Sequence, residues 1–385
     1  MTGSRIEWVR SSCRLLAAIG DEFDRSKPFD GLRIGTGIHL EPKTVALLLV
    51  LSRGGAEVVS TGNLNTTQQD AVDYLRGHGI AVVGGPTSDE ERHGRHLREV
   101  LDAEPQLLLD NGGDLFLGWL EQPYEGLLGG TEETTSGRMR LAPLRDRIRR
   151  PLLVINDSPI KQFAENRHAV GQSVLESFLR ITNRSTNGRR VVVFGYGACG
   201  KGVAANFRNA YADVAVVEVD PVARLEALLD GFRVPDRDHA LRAADVVITV
   251  TGARDVVTAA DLAFFAHGVV LANAGHFPFE IDVRGLERAH GVESREESAD
   301  GIATLRLADG RHIHVLTGGH MVNLAGPHPL GNSIESMDLG FALQARCLEA
   351  VARGRIGPEA CVVPVPADID ASVAEAYVRA AGPGA

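Results

Sequence analysis

Cysteine is scarce in this sequence, and long runs of like charge or of apolar residues are missing. The four cysteines, at positions 13, 199, 347 and 361, lack the spacing of a metal site, so free thiols in a reducing cytoplasm are expected. The net charge is −10 without a block of like charges, which argues against nucleic acid or an anionic membrane as a partner. The longest apolar run, Thr44 to Leu51, is too short to span a bilayer. The mixed charges of Arg5, Glu7 and Arg10 predict no secretory signal.

The chain has 385 residues, of which 44% are hydrophobic and 23% are charged, so two domains with their own cores are expected. Its first part alternates strand-like and helix-like patterns, which predicts an α/β fold with a mostly parallel, doubly wound sheet. The predicted strands cover residues 32–38, 57–63, 80–85, 106–112 and 152–157, and predicted helices include 42–54 and 67–77.

Polar residues cluster where four of these strands end. They are His39, the segment Asn63 to Thr67, the segment Asp110 to Asp114, and Asn156 to Ser158. Ligands of open α/β sheets bind at the carboxyl ends of the strands, so the four clusters are expected to converge on one cleft. The alternative for each cluster alone is an ordinary loop or helix cap, since Asp and Asn are common there.

A glycine-rich turn lies in the middle of the chain. Residues 190–201 combine an apolar strand with a Gly-x-Gly-x-x-Gly turn formed by Gly195, Gly197 and Gly200, and a helical pattern follows. Glu218 comes 18 residues after Gly200, at the end of the next strand, where an acid accepts hydrogen bonds from a ribose diol and repels a 2′-phosphate. This region therefore predicts a Rossmann domain that binds NAD rather than NADP.

The rest of this second domain is predicted from shorter patterns. An amphipathic stretch covers 163–182, strands are expected at 246–251 and 269–273, and Asp309-Gly310 joins a hairpin of 304–307 with 312–316. A helical pattern covers 338–353.

Several motifs resemble the S-adenosyl-L-homocysteine hydrolase (adenosylhomocysteinase) family, in order and over nearly all of residues 5–377. The matching segments are TGNLNTTQ at 61–68, LDNGGD at 109–114, EETTSG at 132–137, VINDSPIK at 154–161, FGYGACGKG at 194–202, NAGHF at 273–277, VNL at 322–324 and His328-Pro329. The resemblance implies a mechanism in which bound NAD oxidises a ribose 3′-hydroxyl, the acidified C4′ proton is removed, the 5′ thiol leaves, water adds and the ketone is reduced again.

The resemblance also implies roles for individual residues. Lys161 is the expected base for the 3′-hydroxyl proton, beside Glu133. The catalytic candidates are Lys161, Glu133, His39, His276, Glu165 and Asn166. The substrate-binding candidates are Glu41, Lys43, Thr67, Asn111, Asp110 and His328. The cofactor-binding candidates are Gly195, Gly197, Gly200, Lys201, Glu218, Thr134, Thr135, Ser136, Asn166, Thr251, Asn273 and Asn323; no metal site is expected.

The chain departs from the family at the positions that the resemblance assigns to the base and to C5′. Lys43 replaces an acid that accepts from the adenine amino group, and Glu41 replaces a hydroxyl residue. A lysine donor suits a carbonyl oxygen or an anionic group better than an amine, unless Lys43 simply points to solvent. Asn111 replaces an acid that works with His39 at C5′, and an amide transfers no proton at neutral pH. The chain ends near position 385, before the family's usual tail, so cofactor affinity and oligomer geometry are expected to differ.

Four functions are compatible with these observations. The favoured one is an adenosylhomocysteinase-like enzyme that oxidises a different nucleoside; the others are an ordinary S-adenosyl-L-homocysteine hydrolase, a non-catalytic NAD-binding regulator, and an unrelated NAD dehydrogenase. The expected substrate domain comprises 1–158 and 329–377, and the inserted NAD domain comprises 171–326, with hinges near 159–170 and 327–329. A small nucleoside substrate, a cytoplasmic location and a homodimer or homotetramer are expected.

Overall fold

The chain folds into two units, and the second unit interrupts the first along the sequence. The computed structural model describes residues 3–298 and 300–382. Its contacts group Met1–Gln162 with Ile334–Ala385, which we call the discontinuous unit, and they group Phe163–Ser333 into the central unit. The first division falls within the expected linker at 159–170, and the second lies shortly after 327–329.

The discontinuous unit is built on a seven-stranded sheet. The strands are β1 (Arg33–Ile38), β2 (Glu57–Gly62), β3 (Ala81–Val83), β4 (Leu107–Asp110), β5 (Gly129–Glu132), β6 (Leu152–Val154) and, from the end of the chain, β14 (Cys361–Pro364). Their order is β14-β6-β5-β4-β1-β2-β3, and every pairing is parallel. The predicted parallel sheet is confirmed, but the short strands β5 and β14 were not expected from their patterns.

Helices cover this sheet, and several begin at positions that the sequence marks. Pro42 occupies the first turn of its helix, where its missing N–H costs no hydrogen bond. The apolar residues of this helix, including Val45 and Leu48, are fully buried. The helices of the unit are α1 (Gly3–Ser12), α2 (Arg14–Ser26), α3 (Pro42–Arg53), α4 (Gln69–Gly77), α5 (Glu90–Asp102), α6 (Asp114–Glu121), α7 (Thr135–Leu141), α8 (Arg145–Ile148), α14 (Ile334–Ala352) and α15 (Ala367–Ala381).

The central unit carries a second sheet of seven strands. They are β7 (Arg190–Phe194), β8 (Asp213–Val217), β9 (Val246–Thr249), β10 (Val269–Asn273), β11 (Val292–Glu297), β12 (Ile302–Leu307) and β13 (His312–Leu316). The order is β11-β12-β13-β10-β9-β7-β8, with β11 and β12 antiparallel to their neighbours. Strand β11 is charged and exposed, so it lacks the apolar alternation by which a strand is predicted.

The helices of the central unit are α9 (Val170–Thr182), α10 (Ala198–Asn209), α11 (Pro221–Leu229), α12 (Arg237–Ala243) and α13 (Val283–Arg288). The predicted amphipathic segment 163–182 is α-helical only in its second part, because Lys161–Ala169 forms a π-helix. Such turns occur often at functional sites, and three catalytic candidates lie on this one: Lys161, Glu165 and Asn166. Within 3–298 and 300–382, no helix combines the length and apolar character needed to cross a membrane.

Candidate functional site

A buried chain of hydrogen bonds connects the ends of strands in the discontinuous unit. Asn63, just after β2, donates from Nδ2 to Oδ1 of Asn111 at 3.0 Å. Asn111, just after β4, donates from Nδ2 to Oε2 of Glu133 at 2.9 Å. Glu133, just after β5, accepts from Nζ of Lys161 through Oε1 at 3.3 Å. Asn111, Glu133 and Lys161 are each 5% exposed, so three candidates from distant parts of the sequence meet in one nearly dry cluster.

His39 joins the same edge of the sheet from the end of β1. Its Nδ1 lies 2.6 Å from the hydroxyl oxygen of Thr66. The segment that carries Thr66 is anchored at Asn63, whose carbonyl oxygen accepts from the Thr67 hydroxyl at 2.9 Å. Gly62 permits this close approach, since a Cβ there would lie 1.9 Å from the Thr67 hydroxyl oxygen. Thr67 is thus placed beside the cluster, with its hydroxyl engaged by the main chain.

Two carboxylates lie one residue before this cluster and support its loops. Asp110 accepts from the main-chain N–H groups of Asn111 and Phe116, both at 3.0 Å. Glu132 accepts through Oε1 from Gly112 N at 3.0 Å and from Thr134 N at 2.7 Å. Burial, reinforced by Asp114, raises the pKa of Asp110 to about 7, and burial with the charge of Asp110 raises the pKa of Glu132. These contacts give Asp110 a supporting position, and its contact with substrate stays a prediction.

Glu41 and Lys43 form an ion pair at the start of α3. Lys43 Nζ lies 2.7 Å from Glu41 Oε2, and the side chains of Lys43 and Glu41 are 4% and 6% exposed, respectively. The alternative that Lys43 points to solvent is therefore wrong. Because both residues follow His39 closely, the pair stands at the same edge of the sheet as the buried cluster.

Three predicted cofactor contacts follow Glu133 in the discontinuous unit. Thr134 precedes α7, where its hydroxyl accepts from Gly137 N at 2.9 Å and donates to Glu132 Oε1 at 2.6 Å. Ser136 lies 2.9 Å from the same hydroxyl, and Thr135 is exposed at the first position of the helix. Thr134 therefore caps a helix, and the NAD contacts of all three residues stay predictions.

The glycine turn of the central unit has the shape that a dinucleotide requires. A Cβ at Gly200 would lie 2.1 Å from the carbonyl oxygen of Gly195, so only glycine allows this close packing of helix and turn. At Gly197, a Cβ would meet no protein atom within 4 Å. Gly197 precedes α10, whose first amides can bind a pyrophosphate. Gly200 and Gly197 thus have separate roles, and the open side at Gly197 fits NAD.

Glu218 lies directly after β8, as the Gly-x-Gly-x-x-Gly pattern with its later acid predicts. Its Oε2 accepts from Tyr196 N at 2.7 Å, and its Oε1 accepts from Val219 N at 2.6 Å and Asp220 N at 2.9 Å. These bonds hold the carboxylate beside the glycine turn, where a ribose diol would donate to it. Lys201 forms an ion pair with Glu226 at 2.6 Å, so its positive charge is partly balanced within the protein.

A network of amides in the central unit provides a further fit to the cofactor. Asn323 donates from Nδ2 to the hydroxyl of Ser173 at 3.0 Å, and Ser173 donates to Asn332 Oδ1 at 3.0 Å. Asn332 contacts Glu165 Oε1 at 3.5 Å. The buried Oδ1 of Asn323 has no hydrogen-bond partner in the part of the chain that the structure describes. An unpaired buried acceptor is costly, and the carboxamide N–H of a nicotinamide would satisfy it. Asn166, 9% exposed, lies next to Glu165 on the π-helix.

Thr251 and Asn273 are held by contacts that the sequence did not reveal. The buried carboxylate of Glu280 accepts from Thr251 N and from the Thr251 hydroxyl, both at 2.8 Å, and from Gly252 N at 2.7 Å. Asn273 donates to the carbonyl oxygens of Gly275, Phe277 and Gly319, and its Oδ1 accepts from Gly275 N at 2.7 Å. Both side chains order the loops after their strands, so direct contact with NAD stays a prediction for them.

The two remaining histidine candidates lie in loops of the central unit. His276 follows β10, and its ring packs edge-on against Phe277 with centroids 4.7 Å apart. Phe277 in turn stacks on Phe279 at 4.6 Å. His328 has a left-handed backbone with φ 51°. The roles of both histidines stay predictions.

Comparison with known proteins gives one family match within each of the two units. The model of the S-adenosyl-L-homocysteine hydrolase family matches residues 4–126, and the model of the NAD binding domain of S-adenosyl-L-homocysteine hydrolase matches residues 166–328. The chain belongs to the S-adenosyl-L-homocysteine hydrolase family. The family assignment, the α/β fold with a Rossmann domain, NAD as cofactor and the class of NAD-dependent hydrolase are thereby confirmed.

Individual relatives of the family carry two different names. An S-inosyl-L-homocysteine hydrolase of Methanopyrus kandleri is 38% identical over 98% of this chain and 90% of its own length. An adenosylhomocysteinase of Thermotoga maritima is 42% identical over 88% of this chain and 85% of its own length. Among solved structures, a phosphoglycerate oxidoreductase of Vibrio cholerae matches with a TM-score of 0.41 and 18% identity, over 65% of this chain and 77% of that chain.

Three supporting side chains were not predicted from the sequence. Glu280 stands between Phe279 and Ile281, and an acid in an apolar segment is a signal for a buried carboxylate. Glu132 lies in a polar segment and gives no such signal. Thr66 was only part of a polar cluster, and its contact with His39 depends on the loop after β2.

Proposed function

We propose that this protein hydrolyses a nucleoside thioether, with a base that presents a carbonyl oxygen where adenine has its amino group. The observation that carries the proposal is a buried ion pair, 3.3 Å apart, between Glu133 after β5 and Lys161 at the start of the π-helix. NAD, when bound, accepts the hydride from the ribose C3′ and returns it at the end of the cycle.

Lys161 is the proposed acceptor of the 3′-hydroxyl proton. A lysine amine acts as a base only after it has lost its own proton, and desolvation favours that neutral form. Glu133 opposes this effect as an ion partner, but its carboxylate can also accept from a ribose hydroxyl and orient the sugar. Removal of the hydride leaves a C3′ ketone, which acidifies the C4′ proton. Loss of that proton to water expels the 5′ thiolate, and a proton returns to C4′ when water adds at C5′.

His39 is the proposed proton donor and acceptor at C5′. Asn111 cannot exchange a proton there at neutral pH, and both ends of its amide are engaged by Asn63 and Glu133. An imidazole titrates near neutral pH, so it can protonate the leaving thiolate and later accept a proton from the attacking water. The contact of Nδ1 with the Thr66 hydroxyl holds the His39 ring in place for this exchange.

The Lys43–Glu41 pair is the proposed determinant of the base. The family resemblance assigns position 43 to the substituent that is an amine in adenine, and an ammonium group only donates. A 6-oxopurine offers a carbonyl acceptor to Lys43 and a neighbouring ring N–H to Glu41. The relative from Methanopyrus kandleri carries a name that includes the inosyl group, whose base has this pattern, which supports the proposal.

The proposal is tested with purified NAD-loaded protein and matched thioethers. S-inosyl- and S-adenosyl-L-homocysteine are compared by the absorbance of bound NADH at 340 nm and by release of thiol. We expect the inosyl compound to give the larger kcat/KM. Preference for the adenosyl compound would establish ordinary adenosylhomocysteinase activity, and absence of NAD reduction with either thioether or with other ribonucleosides would contradict the proposal.

A charge-reversed variant tests the base determinant separately. Lys43→Glu is expected to shift the ratio of kcat/KM at least tenfold towards the adenosyl compound, since a carboxylate accepts from an amine. The matched control is Lys27→Glu, because Lys27 pairs with the exposed Asp24. The ratio should not change in this variant.

A further inference from the structure

The chain of amides in the discontinuous unit has a defined direction. An ionised carboxylate only accepts hydrogen bonds, so the nitrogen of the Asn111 amide must face Glu133. Its oxygen then faces Asn63, which supplies the donor at 3.0 Å. Asn63 is itself held by the main chain: its N–H donates to Ile38 O at 3.2 Å, and its carbonyl oxygen accepts from Thr67.

We propose that Asn63 is a positioning residue for Glu133, because it turns the Asn111 amide so that Asn111 donates to Glu133 and holds that carboxylate in place as the ion partner of Lys161. The effect on the reaction rests on the proposed function above, whereas the direction of the hydrogen bonds does not. Within this network, Asn63 acts on Glu133 through Asn111.

The carboxylates of the discontinuous unit near these strand ends indicate why this direction matters. Glu133 lies at 3.3 Å, and the carboxylates of Asp110 and Glu132, one residue before the cluster, turn to main-chain amides. Asp157 lies 3.5 Å from Arg138. A neutral amide at position 111 therefore supports the charge of Glu133 without adding a second carboxylate beside it, as an acid would. Lys161 consequently releases its proton more readily than it would with an acid at that position.

Reversal of the hydrogen-bond direction provides the first test. In Asn63→Asp, the introduced carboxylate attracts the Asn111 nitrogen and turns it away from Glu133. In Glu133→Gln, an amide replaces the two oxygens that accept from Asn111 and Lys161. Together they restore complementarity, because the aspartate introduced at position 63 accepts from Asn111 and the glutamine introduced at position 133 donates to it. Each single substitution should lower the midpoint of thermal unfolding by about 2–4 °C, and the double variant should recover at least half of the summed loss. Strictly additive losses would overturn the proposal.

The second test follows the proton on Lys161 directly. The chain has only four lysines, at 27, 43, 161 and 201, so 13Cε-lysine NMR gives four resonances. Asn111→Asp adds a carboxylate and should raise the titration midpoint of Lys161 by about one pH unit. Asn63→Ala releases the amide, weakens the charge of Glu133 and should lower that midpoint. Asn187→Asp, in an exposed loop, is the control for the charge change.

The outcomes separate this proposal from the proposed function. Opposite shifts in Asn111→Asp and Asn63→Ala support the positioning role, and the pH profile of NAD reduction should shift in the same two directions. Unchanged Lys161 midpoints in both variants would overturn it. If the wild-type protein reduced no NAD with any thioether, the proposed function would be wrong. The recovery of stability in the double variant and the NMR shifts would still support the positioning role.

Discussion

Lys43 and Glu41 are joined by a 2.7 Å ion pair whose two side chains are almost completely removed from water. The pair lies at the start of α3, among apolar neighbours that include Leu40, Val45 and Leu47. Two charges lose several kcal/mol of hydration each on burial, and their attraction offsets this only while both are present. Loss of either partner would therefore leave the other charge buried without its counter-ion.

Removal of one partner is expected to destabilise the protein more than removal of both. Lys43→Met leaves the Glu41 charge buried and should lower the free energy of unfolding by about 3 kcal/mol, whereas Lys43→Met combined with Glu41→Gln should recover most of the loss. Chemical denaturation at pH 7 measures both. Lys27→Met serves as control and should change stability by less than about 1 kcal/mol, because its pair with Asp24 is exposed. Equal losses in the single and double variants would show that the pair stabilises the fold.

Replacement of Lys161 by arginine should separate its charge from its basicity. In Lys161→Arg the introduced guanidinium can keep an ion pair with Glu133, but it does not release its proton in proteins. We expect NAD reduction by substrate to fall at least about a hundredfold. NAD binding, followed by titration of the purified protein, should stay within about twofold.

A neutral replacement completes this comparison. Lys161→Met also lacks the base, but it leaves Glu133 without its cation, so it should lose stability as well as activity. If Lys161→Arg retained the wild-type rate, another group would have to accept the 3′-hydroxyl proton.

The fold could be predicted from sequence where apolar strands were long and flanked by clear turns. Strand β10 was predicted with its observed bounds, and the glycine turn located the Rossmann domain. Strand β5 was missed because its Gly129 and Gly130 have low strand propensity, although Gly130 is required: a Cβ there would lie 1.9 Å from Leu108 O. Strand β14 was missed because it has only four residues and ends in Pro364, which is unfavourable within a strand.

The site could be predicted only as a set of residue types. The resemblance indicated Glu133 and Lys161, and the strand ends indicated Asn63 and Asn111, but the hydrogen bonds among them depend on strand register. Asp110 pairs in register with Gly37 on one side and Glu132 on the other, which brings the residues after these strands together. No local pattern encodes such a register. The same limit concealed the Lys43–Glu41 pair, whose burial is a property of the packed helix.

Glu132 should make the stability of the protein depend on pH. Burial raises its pKa in the folded protein above the ordinary value, so the folded state binds this proton more tightly than the unfolded state. The resulting stabilisation is present below about pH 4.5 and is lost as pH rises through the raised pKa. The free energy of unfolding should therefore fall as the pH rises above about 4.5.

Glu132→Gln should remove part of this dependence. Glutamine keeps an acceptor for Gly112 N and Thr134 N, and it does not titrate. Denaturation should give nearly equal stabilities at about pH 4.5, and the variant should become more stable than the wild type as the pH rises. Some slope should remain, because Asp110 titrates with a pKa of about 7. The exposed Glu125→Gln is the control, and a slope as steep as that of the wild type in Glu132→Gln would rule out this origin.

Two glycines of the dinucleotide turn should respond differently to alanine. Gly197 has an ordinary backbone, with φ −68°, and a Cβ there meets no protein atom, so Gly197→Ala should leave thermal unfolding without NAD within about 1 °C of wild type. The added methyl group would occupy the space through which a pyrophosphate approaches, so affinity for NAD should fall at least tenfold.

Gly200→Ala places its Cβ against Gly195 O and should destabilise the central unit before cofactor is added. Calorimetric titration with NAD, alongside unfolding with and without it, distinguishes the two effects. Wild-type affinity in Gly197→Ala would mean that the pyrophosphate binds elsewhere on the turn.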